Sequence, residues 1–228
     1  MNVHIMKQNL LCIGLLSVSI IAFSQPTFLH DNITGKPYML LKYSKVVDGS
    51  AFFRENLMHG NVIMQDGQEF KNLRLRLNLL ENELNYLNQL REEMISTGPV
   101  KELILFDSLT GLQHTFNHTA YLNVKDISVK GWLENLEKGK VSLFKQYYKN
   151  LMETFVYNSP NADIVITTQI RYYILYNDQW LLIKRIKNIS DILSSKKDEL
   201  TKFINENKLK ADNEENFKSI ISYFNNLQ

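Results

Sequence analysis

Two histidines, His114 and His118, stand four residues apart in His114-Thr115-Phe116-Asn117-His118. That spacing puts both imidazoles on one face of a helix or a strand, where they could supply two ligands to a metal ion. A metal site needs more. No third ligand is indicated nearby, and no Glu follows the first His as it does in helical zinc-protease motifs. The flanking Ser108, Thr110, Gly111 and Gln113 read as a polar loop, so the pair is expected to be solvated and no metal is assigned. Asp107-Ser108 beside His114 can be drawn as the start of a hydrolase centre, but no G-x-S-x-G turn presents the serine. A metal-dependent or serine hydrolase using the loop around His114 and His118 is therefore the alternative function, with no catalytic residue assigned. The glycine pairs Gly60/Gly67 and Gly131/Gly139 match no phosphate-cradling spacing, and no cofactor is expected.

The densest chemistry is aromatic. Tyr147, Tyr148, Phe155, Tyr157, Tyr172, Tyr173, Tyr176 and Trp180 crowd into one stretch. On a strand, Tyr172, Ile174 and Tyr176 share one face while Tyr173 and Leu175 share the other. Two readings follow: a sheet buried on both sides, with aromatics as bulky core, or an exposed platform at Tyr172, Tyr173, Tyr176 and Trp180 for a sugar ring, a lipid or a partner chain. The neighbouring Lys184, Arg185 and Lys187 read as the solvated edge of the last strand.

Strands must position these groups. Residues 38–47 read as a first strand. Gly60 to Gln65 runs into Asp66-Gly67, a hairpin signal because Gly accepts the positive φ of a tight turn. On the return, Leu73, Leu75, Leu77 and Leu79 alternate with Asn72, Arg74, Arg76 and Asn78, the period of a sheet with one wet face. Residues 132–137 turn at Lys138-Gly139 into 141–149, and 151–156 lead to a polar loop at 158–161. Residues 164–176 form a long strand that turns at Asn177-Asp178 into 180–185. Segments 79–94 and 143–156 carry leucine and aromatic spacings that fit helix and strand alike. Helical signals take over afterwards. Asp212 with Glu215 resembles a capping box, and Phe217, Ile220, Ile221, Phe224 and Leu227 make one apolar stripe. Leu200, Phe203 and Ile204 make a shorter stripe before it, so the tail is expected to be a helical hairpin packed on the aromatic sheet.

A series of residues carries a resemblance. Gly49-Ser50-Ala51-Phe52-Phe53, Gly60, Asp66-Gly67, Phe70, the run from Leu77 to Leu84, Tyr86-Leu87, Glu93-Met94 and Val100-Lys101-Glu102-Leu103 follow in order. Gly139 to Lys145, Tyr172 to Leu175 and the tail from Leu200 to Leu227 extend it. The chain resembles a group of uncharacterised exported β-rich proteins of Bacteroidota, over roughly residues 45–228. The resemblance implies strands at both ambiguous segments and implies no activity. Where the group has a turn-opening Gly after Leu87, this chain has Asn88-Gln89-Leu90-Arg91.

The first residues give an address. Lys7 precedes an apolar run from Leu10 to Ile21, and Ala22-Phe23-Ser24 offers small residues at the two positions that a signal peptidase reads. The apolar stretch is short of the roughly 20 residues that span a bilayer, so residues 1–24 are expected to be a cleaved secretory signal. The one cysteine, Cys12, lies inside it, which leaves 25–228 without a disulfide framework, thiol catalysis or cysteine-bound zinc. Charge is balanced, 26 basic against 24 acidic residues with the signs interspersed, and no basic stripe suggests nucleic acid. The expectation is a mainly β (α+β) protein of antiparallel meander with a C-terminal helical hairpin: an N-terminal β-rich region at 25–110, a β-meander at 111–188 and helices at 189–228. Its expected role is non-enzymatic binding in the periplasm or at the cell surface, with an envelope protein or glycan as partner and no transmembrane span after cleavage.

Overall fold

The computed structural model describes residues 33–39, 42–122, 129–155 and 162–227. The segment read as an export signal, the loop at 158–161, Tyr157 and the Phe155 side chain lie outside them.

The described residues form one mainly β sheet with a helical C-terminus. Its strands are β1 (Gly35–Pro37), β2 (Val46–Gly49), β3 (Met58–Met64), β4 (Glu69–Asn78), β5 (Glu83–Leu87), β6 (Glu93–Ser96), β7 (Val100–Phe106), β8 (Gln113–His118), β9 (Trp132–Glu137), β10 (Ser142–Phe155), β11 (Ala162–Tyr176) and β12 (Gln179–Ile183). They pair in the order β1-β6-β5-β4-β3-β7-β8-β9-β10-β11-β12, antiparallel throughout, and β2 joins β11 in parallel. From β7 onward the path is a plain meander, each strand pairing with its sequence neighbours.

The hairpin at Asp66-Gly67 forms as the sequence predicts, with Gly67 at φ +90°. Leu73, Leu75, Leu77 and Leu79 are buried in one core with Val62, Leu103 and Phe116. Among the described residues neither ambiguous segment is helical: 79–94 holds β5 and the start of β6 joined by turns, and 143–155 lies in β10. Arg91 takes φ +62° in the turn between β5 and β6, where a glycine would be free of steric cost.

Several expectations are corrected. Residues 38–47 are not one strand: a turn occupies 42–45, and Tyr38 and Tyr43 swing their rings edge-on to Phe52. Residues 142–155 make one continuous strand in place of two. The helices begin at Ile186, not 189, and number three among the described residues: α1 (Ile186–Ile192), α2 (Lys197–Glu206) and α3 (Glu214–Asn226). The cap of α3 is Asn213, whose side chain accepts from the Asn216 N–H. Asp212 instead reaches across to accept the N–H of Ile186 at 2.7 Å, satisfying a donor exposed at the start of α1.

The helices cover one face of β9–β12. Phe217, Ile220, Ile221 and Phe224 lie with Leu200, Val141, Leu143 and Ile174 in a second core. Asn225 completes the seal, accepting from the Val141 N–H and donating to its carbonyl, each at 2.8 Å. The opposite face carries a smaller cluster of Val129, Leu133, Phe144 and Tyr173. No described helix is long and apolar enough to cross a membrane.

Candidate functional site

The expected loop around the two histidines is half turn and half strand. Asp107 opens the turn, its Oδ1 accepting from Leu109 and Thr110, and β8 then carries both imidazoles on one face. Four residues of strand separate them by about 13 Å at ~3.3 Å per residue. They do not converge. His118 packs edge-on to Trp132 and accepts the Ala120 N–H, and burial lowers its pKa. No described group of three His, Cys, Asp or Glu side chains is arranged to hold a metal ion.

His114 is buried, contrary to the solvated loop expected of it, and sits between two buried carboxylates. Its Nδ1 lies 2.6 Å from Glu134 Oε1, while the Tyr147 hydroxyl donates to Glu134 Oε2 at 2.7 Å. Burial pushes the Glu134 carboxyl up, but these two hydrogen bonds, together with the charges of His114 and Lys145, hold the group below the usual carboxylate range. An ionised Glu134 only accepts, so Nδ1 bears the hydrogen. His114 Nε2 is buried without a partner, 4.0 Å from Asp107 Oδ2, too far for a hydrogen bond. Asp107 is held by Arg54 through two contacts of 3.1 and 3.2 Å. Desolvation raises its pKa, yet the Leu109 N–H, Arg54 and the Thr110 N–H together leave it lowered. Tyr147 is pushed far up, by burial first and then by the Glu134 charge.

The line continues. Lys145 lies over the Tyr147 ring and pairs with Glu214 of α3 at 2.7 Å, and Tyr172 donates to the same carboxylate. Arg54, Asp107, His114, Glu134, Tyr147, Lys145 and Glu214 thus run from the first core to the helical tail. Chemically this is a joint: every strong contact is internal, and no described hydroxyl is hydrogen-bonded to His114 to serve as a nucleophile.

The four aromatic platform residues divide between the faces of the sheet. Tyr172 and Tyr176 lie edge-on to Phe217 and Phe224 under the helices. Tyr173 and Trp180 are on the other face, with Trp180 edge-on to Phe144. They form no common exposed platform, because alternate residues of β11 point to opposite sides.

A different opening uses Tyr173. On that second face, register places Gln146 opposite Arg171 and Phe144 opposite Tyr173. Gln146, Arg171 and Tyr173 line a cavity of about 370 Å³ with Tyr148, Trp132, Lys130 and Asn82, and no carboxylate is among its lining residues. The lining is held in place from behind: Tyr173 donates to Gln146 Oε1, Gln146 to the Lys130 carbonyl, and the Trp132 indole to the Asn82 carbonyl. The Arg171 guanidinium stacks 3.9 Å from the centre of the Tyr148 ring and is steadied by Gln169 Oε1. Lys149 also lines the cavity, and none of Arg171, Lys130 and Lys149 is ion-paired with a described carboxylate, which leaves three cations beside ring faces and amides. Sequence reasoning did not single out Arg171, Lys130 or Tyr148 as a group. The signal was the pairing register of β10 with β11, which sequence alone leaves open.

No family model matches the chain, and neither curated proteins nor solved structures yield a similar relative.

Proposed function

We propose that the chain is an exported, non-enzymatic binding protein of the bacterial envelope, and that its ligand is an acidic saccharide seated beside Arg171. The observation that carries the ligand class is the cavity lining, with Arg171 stacked on Tyr148, Lys130 beside it and no carboxylate. Aromatic rings suit the apolar faces of sugars, amides suit hydroxyls, and a guanidinium grips a carboxylate in bidentate fashion. The cavity also falls within the ~300–1,000 Å³ of small-ligand sites. Export is supported by Lys7, the apolar run to Ile21 and the small residues Ala22 and Ser24, and the resemblance to exported proteins of Bacteroidota points the same way.

Hydrolysis at His114 is the competing reading. Glu134 on Nδ1 is the orienting contact such a site would need, but Nε2 faces a carboxylate where a hydroxyl nucleophile is required, and that weakens the reading.

Calorimetric titration with trigalacturonate and with its uncharged methyl ester tests the proposal. The acid should bind and the ester bind at least tenfold more weakly, a difference of about 1.4 kcal/mol. Equal affinity for the two, or none for the acid, contradicts it.

A further inference from the structure

β10 and β11 outrun their neighbours. β9 pairs with β10 at Leu143 to Lys145, and β12 pairs with β11 at Tyr172 to Tyr176. Beyond these limits the two long strands continue as a ribbon, braced by β2 at Ile164 to Ile166. That brace is on the β11 side, because β10 fills the other edge of β11 along its whole length. From Tyr148 to Glu153, β10 therefore has β11 on one side and no described strand on the other. An open edge offers a row of N–H and C=O groups to a further strand.

The side chains on this edge also look unfinished. Tyr148, Leu151 and Met152 are 41%, 43% and 46% exposed, and Ile170, across on β11, is 40% exposed. Lys149, Leu151 and Glu153 alternate onto one face of the strand. Neither Lys149 nor Glu153 has an ion-pair partner among the described residues. Lys149 donates to Thr168 Oγ1, and its burial lowers its pKa, so an ammonium placed there gains from a carboxylate.

We propose that this edge is a homodimer interface, formed by antiparallel pairing of β10 with β10 of a second copy about a two-fold axis at Leu151. The register follows from charge. Facing residues of antiparallel strands share a face, so a symmetric pair of strands is centred on a residue facing its own copy. Centred on Leu151, Lys149 faces the partner's Glu153 and Glu153 faces the partner's Lys149, while the two Leu151 side chains meet between them. Centred on Asn150 or Met152, neither charge finds its opposite. Centred on Lys149 or Glu153, like charges collide. The two sheets then run on as one, and the exposed leucines are covered. The edge adjoins the cavity, since Tyr148 and Lys149 belong to both, but Leu151 and Glu153 lie outside the cavity lining, so Glu153→Lys tests the dimer without altering the saccharide reading's residues.

Light scattering on the full chain should give a dimer mass. Glu153→Lys and Lys149→Glu should each yield monomer, and the double swap Lys149→Glu/Glu153→Lys should restore the dimer. With the single native cysteine, Cys12, replaced by serine, Leu151→Cys should cross-link on oxidation, because facing Cα atoms about 4.5–5.5 Å apart suit a disulfide. Asn150→Cys, which faces the partner's Met152, should cross-link far less. A monomer at every concentration tested, or a dimer that Glu153→Lys leaves intact, overturns the proposal. Loss of the dimer with saccharide binding retained, or the reverse, tells its failure from that of the ligand reading.

Discussion

His114 Nδ1 and Glu134 Oε1 lie 2.6 Å apart in the interior, joining β8 to β9 at the point where the first core meets the strands beneath the helices. Phe53 closes the contact, edge-on to His114, Phe116 and Tyr147 at about 5 Å. The geometry makes the pair a fastening between the two cores.

Removing the charge while keeping the shape should therefore loosen the fold. Glu134→Gln turns one charge-assisted bond into a poorly matched one, and such bonds contribute about 1.5–3 kcal/mol each. Urea melts should show a loss of that size against a total of about 5–15 kcal/mol. No loss would mean that the fastening is immaterial.

Acid should act through the same groups. Glu134 and Asp107 are both held below their ordinary values of 4.5 and 3.8. A carboxyl whose pKa is depressed by folding adds stability that is fully present above its unfolded value and is lost as pH falls through the folded one. The melting temperature should thus be flat in their terms near neutrality and fall as pH drops through and below about 4. Glu134→Gln should make that acid limb shallower. An unchanged limb would place the acid sensitivity elsewhere.

Much of this fold was legible in residue order, and the reasons differ by element. The alternating leucines of β4 announce a strand because one face is buried and the other is wet. The stripe of α3 is legible for the same reason at helical spacing. His114 was misread because its burial depends on Glu134, twenty residues away, and on Phe53 and Tyr147, while its own flanks are those of a turn. Asp212 was misassigned because an acid before a helix looks like its cap, whichever helix it serves. The cavity was invisible because Arg171 and Tyr148 become neighbours only through the register of a long hairpin.

The C-terminal helix should be indispensable. Phe217 is almost fully buried against Tyr172, and Phe217→Ala should cost about 3–5 kcal/mol. Truncation after Lys210 should bare Leu143 and Ile174 and cause aggregation in a thermal melt. A soluble, cooperative transition at an unchanged temperature would contradict the packing.

Strand β4 offers a paired control. Leu75 is inaccessible, and Leu75→Asp should unfold the protein or cost several kcal/mol, as an unpaired buried charge does. Arg74 is exposed and bonds to His59 and the Leu57 carbonyl. Its change to Asp should cost less than about 1 kcal/mol in the same melts.

The anionic-ligand cavity is tested most directly by an NMR titration with trigalacturonate, following the Trp132 indole N–H and the Arg171 Nε–H in the wild type and in Arg171→Gln. Both wild-type signals should shift together and saturate, and added salt should weaken the response, since screening acts on exposed charge. In Arg171→Gln the indole shift should need at least tenfold more ligand. Shifts scattered away from Trp132 and Arg171, or an indole response that the substitution leaves unchanged, would contradict an acidic saccharide in this cavity.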